Sequence, residues 1–515
     1  MTPVLITWIG VLALVGALSL LLTGQGRTRA RQAFVILVSA FVVHSLIATT
    51  ARGGRLARAE PVLESDRAEL LLRFGSTMQV LEAKSALFAL GSKKDLSDQR
   101  QQTFYKDARK ILEESVGKSP DSAVLKMKLA VVLAESGQEQ HKPEFKQVAK
   151  ELASRSKPAD SAAGKALLAI YQEGKVSPEE ERTLERVLEK SLPPGWYRDA
   201  TRLRLFETAG DTRRYEKLKA EIEDKSFRLM TNFLVVLAIA IVVSLIGIVV
   251  IIVQLFTLPR QFGDPEDQAG GASAVPWTAG TVYVVFVFWM ATQVLIGGFT
   301  QEFIKSYKLL ASGALVAAIS TAALYLISNG PGVLYAYLLA FRPYGLGLFQ
   351  AIRLRSRSGS LGPIRLTLAG IGTWCAAVPI VIFAYLLASR FLGAQGSSNP
   401  IIALVLEAAR SSNVLATVLF YVTLGVLAPF VEETLFRGFL YRTLRKNLGV
   451  GTSLFASAAL FAAVHMDAGA VVPLFCLGWL FGFVYERTRS LLPALIAHGL
   501  WNSGTFTLVL MIFGT

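Results

Sequence analysis

Glu432 and Glu433 stand side by side just past an apolar stretch, in the run Pro429-Phe-Val-Glu-Glu-Thr-Leu-Phe-Arg437. Two of the four histidines, His465 and His498, follow in the next apolar segments, and Asn502 lies four residues beyond the second. Ionisable groups at membrane depth are costly and are kept mainly where they do something. A carboxylate with two imidazoles suggests hydrolytic chemistry inside a membrane. On a helix, Glu433 and Arg437 share a face and can form a charge-assisted pair. Glu432 is then turned about 100° away and is left available as a general base toward water. His498 and Asn502 also share a helix face, and imidazole and amide donors suit a developing oxyanion once water is excluded. Alternatively, Glu432, His465 and His498 could ligate a divalent metal such as zinc that activates the water, although the His-Glu-x-x-His spacing of soluble zinc proteases is missing. A third use of the same residues is as buried polar bridges that lock helices together.

The elements that must position these groups are membrane helices. The 515 residues are 52% hydrophobic with a mean hydropathy of +0.46, and apolar runs long enough to cross a bilayer recur. Spans are expected near 3–23, 33–50, 229–256, 277–298, 309–328, 366–393, 411–430, 452–466, 471–486 and 491–512, the eighth and ninth being short. Met1-Thr-Pro is uncharged and the first run has no clear cleavage site, so no cleavable signal peptide is expected. Straight, upright helices would hold His465 and Glu432 about 15–20 Å apart at 1.5 Å rise per residue. Tilt, a break at Pro429 or a deeper Glu432 must close that gap.

Segment 51–226 differs from the rest. It holds 33 Lys/Arg and 29 Asp/Glu, leaving 20 basic and nine acidic residues elsewhere. The basic surplus therefore belongs to the membrane part, and no basic block interleaved with aromatics points to nucleic acid. Arg27, Arg29 and Arg31, then Arg342, Arg353, Arg355, Arg357 and Arg365, then Arg437, Arg442, Arg445 and Lys446, then Arg487 and Arg489 all fall on one side if the N-terminus is outside. That places 51–226 on the extracytoplasmic side; the membrane expected is a bacterial inner membrane. The stretch 341–364 is half apolar and half basic: either a cytoplasmic connector or a segment lying against anionic lipid. The two cysteines, Cys375 and Cys476, sit in apolar spans, too few for a disulfide framework or a cysteine zinc site.

Within 51–226 the pattern is helical and polar. Three helix ends recur, closing on Gly137, Gly174 and Gly210. The spacing and the small/large apolar pattern resemble tetratricopeptide repeats; an irregular helical bundle is the other arrangement. Ser119-Pro120 and Ser177-Pro178-Glu179-Glu180 read as helix starts, the second with a capping-box Glu. Either arrangement gives a docking surface for a protein partner. His141 reads as an ordinary surface residue of a polar loop. The expected fold is thus an all-α polytopic membrane bundle with an inserted helical soluble domain. Its parts are 1–50 (two spans), 51–226 (soluble), 227–399 (spans and a basic loop) and 400–515 (the chemical core).

Glu-Glu-x-x-x-Arg, Phe461-x-x-x-His465 and His498-x-x-x-Asn502, in this order on successive membrane helices, resemble the CPBP group, the CAAX prenyl endopeptidases and bacteriocin-processing or immunity (Abi) proteins. The runs Pro-Phe-Val-Glu-Glu-Thr-Leu-Phe-Arg-Gly and Ser490-Leu-Leu-Pro-Ala-Leu-Ile-Ala-His-Gly are similar to that group as well, over about residues 400–512. The resemblance implies an intramembrane endopeptidase. In it Glu432 activates water with help from His465, His498 and Asn502 stabilise the oxyanion, and Glu433 with Arg437 supports the site, in a glutamate or a metal-dependent scheme. It implies a membrane-anchored protein or peptide as substrate. The two added N-terminal spans and segment 51–226 depart from the group and speak against processing of prenylated proteins. A non-catalytic membrane scaffold or bacteriocin-immunity protein that recruits a partner through 51–226 is the competing function.

Overall fold

In the computed structural model the residues described are 60–84, 94–173, 176–257, 275–306, 313–354, 362–392, 413–446, 448–465 and 470–513. The expected first two spans lie outside them. The regular structure of the described residues is helical throughout, with no strand, and six helices are long and apolar enough to cross a membrane. The protein is an all-α, polytopic integral membrane protein. The chain divides into two compact units, residues 53–234 and a unit built mainly from 235–514.

The first unit contains α1 (Glu60–Lys84), α2 (Lys94–Lys118), α3 (Ala123–Glu135), α4 (Lys142–Ala153), α5 (Pro158–Leu168), α6 (Pro178–Ser191) and α7 (Trp196–Ala209). The helix α3 is its centre: every residue from Leu125 to Leu133 is buried. It packs on α1, α2, α4, α5 and α7, and α7 also returns to α1. The consecutive helices also pack on one another in chain order. The glycine spacing marks helix ends, since Gly137 and Gly210 take left-handed φ of +68° and +74°, but it does not dictate stacking. The capping box at Ser177 and Glu180 forms. Ser119 does not start a helix; the cap of α3 is Ser122, whose side chain accepts from the Leu125 amide. His141 also departs from expectation. It ends a short 3₁₀ turn and is buried, its Nδ1 2.8 Å from Ser136 Oγ.

The second unit begins within α8 (Thr212–Thr257) and continues through α9 (Ala279–Ser306), α10 (Ala314–Ala336) and α11 (Pro363–Leu392). Next come α12 (Val414–Arg445), α13 (Val450–Val464), α14 (Val471–Thr488) and α15 (Leu492–Phe513). Two spans outrun their expected ends. The helix α10 continues through a π turn at Tyr337–Phe341. The helix α12 runs to Arg445, thirteen residues past Glu432, so Glu432 sits inside a span and not at its foot. Arg437 therefore does not belong with the basic residues outside the bundle; it is fully buried.

Two π turns break the α12 ladder, at Thr423–Leu427 and Thr434–Tyr441, on either side of the carboxylates. A π turn carries one extra residue and rotates the remainder of the helix by about one position. The first precedes Pro429, whose missing N–H deprives the Gly425 carbonyl of its α-helical partner. The helices close in at glycines. A Cβ on Gly478 would stand 3.1 Å from Ala458 and from the Phe461 ring, and one on Gly482 would stand 2.9 Å from Leu454, so α14 rests directly on α13. A Cβ on Gly499 would meet the Gly425 carbonyl at 2.5 Å, which brings α15 against α12.

Candidate active site

Glu433, Arg437 and His498 form the buried base of the site. Glu433 and Arg437 are 0% exposed and His498 is 4% exposed. Arg437 Nη1 donates to Glu433 Oε1 at 2.8 Å, the pair expected from their spacing, and Nη2 donates to the Gly478 carbonyl at 2.7 Å. The guanidinium lies among three aromatic rings, 4.5 Å from the centre of Phe461, 5.4 Å from Phe481 and 5.9 Å from Phe436. Cation–π contact and two charge-assisted hydrogen bonds offset the cost of a buried charge.

Glu433 does a second thing that spacing did not reveal: its Oε1 also lies 2.8 Å from His498 Nδ1. A carboxylate only accepts, so Nδ1 carries a proton there and Nε2 is turned the other way. The imidazole is stacked on Phe481, with centroids 4.9 Å apart and 19° between planes. His465 is fixed by the same logic. Its Nδ1 donates to the Phe461 carbonyl at 2.7 Å, and its ring packs on Phe461 with centroids 4.8 Å apart.

The two Nε2 atoms meet at Glu432. His465 Nε2 is 3.7 Å and His498 Nε2 3.8 Å from the same oxygen, Glu432 Oε2. Glu432 Oε2 is buried and has no hydrogen-bond partner within the protein. The expected axial gap is closed by the depth of Glu432 in α12 and by the position of His465 at the C-terminal end of α13. Glu432 and His465 keep side-chain exposures of 16% and 27%, so this is the accessible side of the cluster. The N···O separations exceed a direct hydrogen bond, 2.7–3.2 Å, and are of the length that one small molecule can bridge.

Asn502 is placed differently from the other three. Its Nδ2 donates to the Leu424 carbonyl at 2.9 Å, within the first π turn. That bond ties α15 to α12 one turn beyond His498. Tyr325 of α10 is a residue that the motif spacing missed. Its hydroxyl is 3.4 Å from Glu432 Oε1 and from the Ala428 carbonyl. It sits 107 residues before the carboxylate, and its only sequence signal is a phenol in an apolar span.

Two imidazole nitrogens and a carboxylate oxygen are the donor types of a zinc site. Among the described residues no group of three His, Cys, Asp or Glu stands in ligating geometry. The junction instead presents a base, Glu432 Oε2, between two imidazole nitrogens, groups that can move a proton on their own.

Residues 414–504, the stretch that contains all of these groups except Tyr325, match the family model "Type II CAAX prenyl endopeptidase Rce1-like". A protein of Bacillus subtilis (strain 168) named "Putative membrane peptidase YdiL" is 25% identical over 97 residues, 19% of this chain and 39% of that protein. The match thus spans about two fifths of that relative's length. No solved structure matches the chain significantly. Over the helices that carry the Glu-Glu, His and His-Asn motifs, the chain is similar to the CAAX prenyl endopeptidases of the CPBP family.

Proposed function

We propose that the protein is an intramembrane endopeptidase that hydrolyses a peptide bond in a membrane-anchored protein or peptide. The observation that carries this reading is the convergence of the His465 and His498 Nε2 atoms on Glu432 Oε2. A water held at that junction loses a proton to Glu432, with His465 Nε2 accepting its second hydrogen bond. The hydroxide adds to the scissile carbonyl. His498, protonated at both nitrogens and held at Nδ1 by Glu433, directs Nε2–H at the oxyanion. Collapse of the tetrahedral adduct breaks the C–N bond, and the proton on Glu432 passes to the leaving amine. Glu433 and Arg437 fix the ring that carries the donor, and Asn502 supports the oxyanion pocket with the amide hydrogen not given to Leu424. The resemblance of 414–504 to the prenyl endopeptidases supports the class of reaction.

We place unit 53–234 outside a bacterial inner membrane, where it engages the protein that carries the scissile bond. The neutral balance of this segment and the basic loops of the other unit support that orientation.

The test compares N-termini of membrane proteins from cells carrying wild type or Glu432→Gln. New N-termini present with wild type and absent with the variant, at equal protein level, support the proposal. The same set of N-termini in both overturns it, and a partner bound by 53–234 without cleavage would then favour the scaffold function.

A further inference from the structure

At one end of the membrane unit, away from the carboxylates, four arginines gather around a single acid. Arg442 and Arg445 come from the last turn of α12, Arg489 from the end of α14, and Arg353 from the segment after α10. They line a recess that is partly open to solvent, in which Glu486 is the one acidic residue. Glu486 is 4% exposed and already bonded: it accepts from Tyr441 Oη at 2.9 Å and from Arg445 Nε at 3.2 Å, and it pairs with Arg489 Nη2 at 3.1 Å. Four guanidiniums against one carboxylate leave a surplus of positive charge in a half-buried place, which favours an anion there.

Two independent observations point the same way. Among the described residues only Arg353 and Arg489 are non-glycine residues with positive φ, each +53°, and both line this recess. The position of Arg489 is the left-handed helix end at which glycine is usual. An arginine there costs about 1–2 kcal/mol of backbone strain, and strain of this kind collects at ligand clamps. The backbone around them is firmly held: Leu491 N donates to the Arg353 carbonyl at 2.8 Å, and Ser490 Oγ to the Leu354 carbonyl at 2.9 Å. The second observation is Tyr485, 2% exposed, which lines the recess with a hydroxyl that has no partner within the protein.

We propose that this recess binds a phosphate group. Guanidinium forks match the paired oxygens of phosphate, and a phenol supplies one more donor. The recess lies where several membrane helices end, the depth of lipid headgroups, so an anionic phospholipid is the expected source; free inorganic phosphate offers the same chemistry.

The whole protein is purified and its melting temperature measured in nanodiscs of phosphatidylglycerol, in nanodiscs of phosphatidylcholine, and in phosphatidylcholine with inorganic phosphate added at constant ionic strength. Phosphatidylglycerol should raise the melting temperature of wild type, and native mass spectrometry should find it retained. Arg489→Gly relieves the backbone strain but takes a partner from Glu486, so the discriminating readout is retention: a purely structural arginine predicts unchanged lipid retention whatever the change in stability. A phosphate ligand predicts instead about a tenfold loss of affinity, the loss of one charge-assisted hydrogen bond. Tyr485→Phe, which removes one oxygen, should reduce retention several-fold. A rise produced by inorganic phosphate, and not by phosphatidylglycerol, assigns the site to the soluble anion. If neither phosphate probe distinguishes wild type from Arg489→Gly and Tyr485→Phe, the proposal is overturned.

Discussion

The two units bury charge in opposite ways. In unit 53–234 a buried charge sits at the margin, with water or a mobile partner within reach. Lys128, 3% exposed, donates to Ser65 Oγ at 3.0 Å, lies 3.5 Å from the partly exposed Asp66 and rests over the Tyr197 ring. In the membrane unit the buried charged groups are gathered into two places, and each holds a polar atom without a hydrogen-bond partner in the protein: Glu432 Oε2 in one, Tyr485 Oη in the other. The first pattern is that of a domain holding itself together. The second is that of sites where a stable fold leaves polar atoms for something else to meet.

The comparison breaks most visibly at Arg437. Arg437→Met removes the partner of a fully buried carboxylate, and a loss of about 3–5 kcal/mol is expected, read as a fall in the melting temperature of the detergent-solubilised protein. A melting temperature within 2–3 °C of wild type, roughly the shift expected for 1 kcal/mol, would mean that the pair adds nothing to the fold. Gly478→Ala should cost about 1–3 kcal/mol, because the new methyl presses on Ala458 and Phe461. Since Phe461 carries both the carbonyl and the ring that fix His465, cleavage should fall by more than the stability loss explains. A variant with reduced stability and full activity would separate the packing from the chemistry. Lys128→Met, the matched change in the other unit, should cost only about 1–2 kcal/mol, because Asp66 keeps access to water; a loss as large as that of Arg437→Met would erase the difference between the two units.

The smallest effect is a pH dependence. Burial, and then the neighbouring Arg109 charge, push the His141 imidazole below its usual value, 6.5. The neutral ring is the native form, so its contribution is complete above pH 6.5 and is lost as the pH falls through the lowered value. Amide exchange around 136–145, corrected for the intrinsic rate, should therefore be faster at pH 5 than at pH 7 in wild type, and this difference should shrink in His141→Gln.

Much of the membrane unit could be read from residue types. The order of apolar runs located the helices from 229 onward, and a spacing of four located the Glu433–Arg437 pair. The depth of Glu432 could not be read, because a period of 3.6 does not reveal π turns, and a span counted by hydropathy stops where charged residues begin. Here the charges at 432, 433 and 437 are inside the helix, and Arg437 is bonded to Glu433 and to the Gly478 carbonyl. The Glu433–His498 and Tyr325–Glu432 contacts join residues 65 and 107 positions apart, and nothing local encodes them. In the other unit the same limit explains the repeat: Gly137 and Gly210 announce where helices stop, while the return of α7 onto α1 and α3 depends on which faces are apolar in three dimensions. The burial of His141 is hidden in the same way, since its chain neighbours are polar although the ring itself is inserted.

The irregular turns on either side of Glu432 are the places where this helix tolerates a change of count. Removing one residue from 423–427 or from 434–441 would let the ladder relax to ordinary α geometry. The extra residue and the turn that absorbs it would go together, so the helix on both sides of the cut would keep the face it turns toward α13 and α15. The same deletion elsewhere in the helix would swing one side by about 100° relative to the other, taking the carboxylates out of register while every motif letter stayed in place.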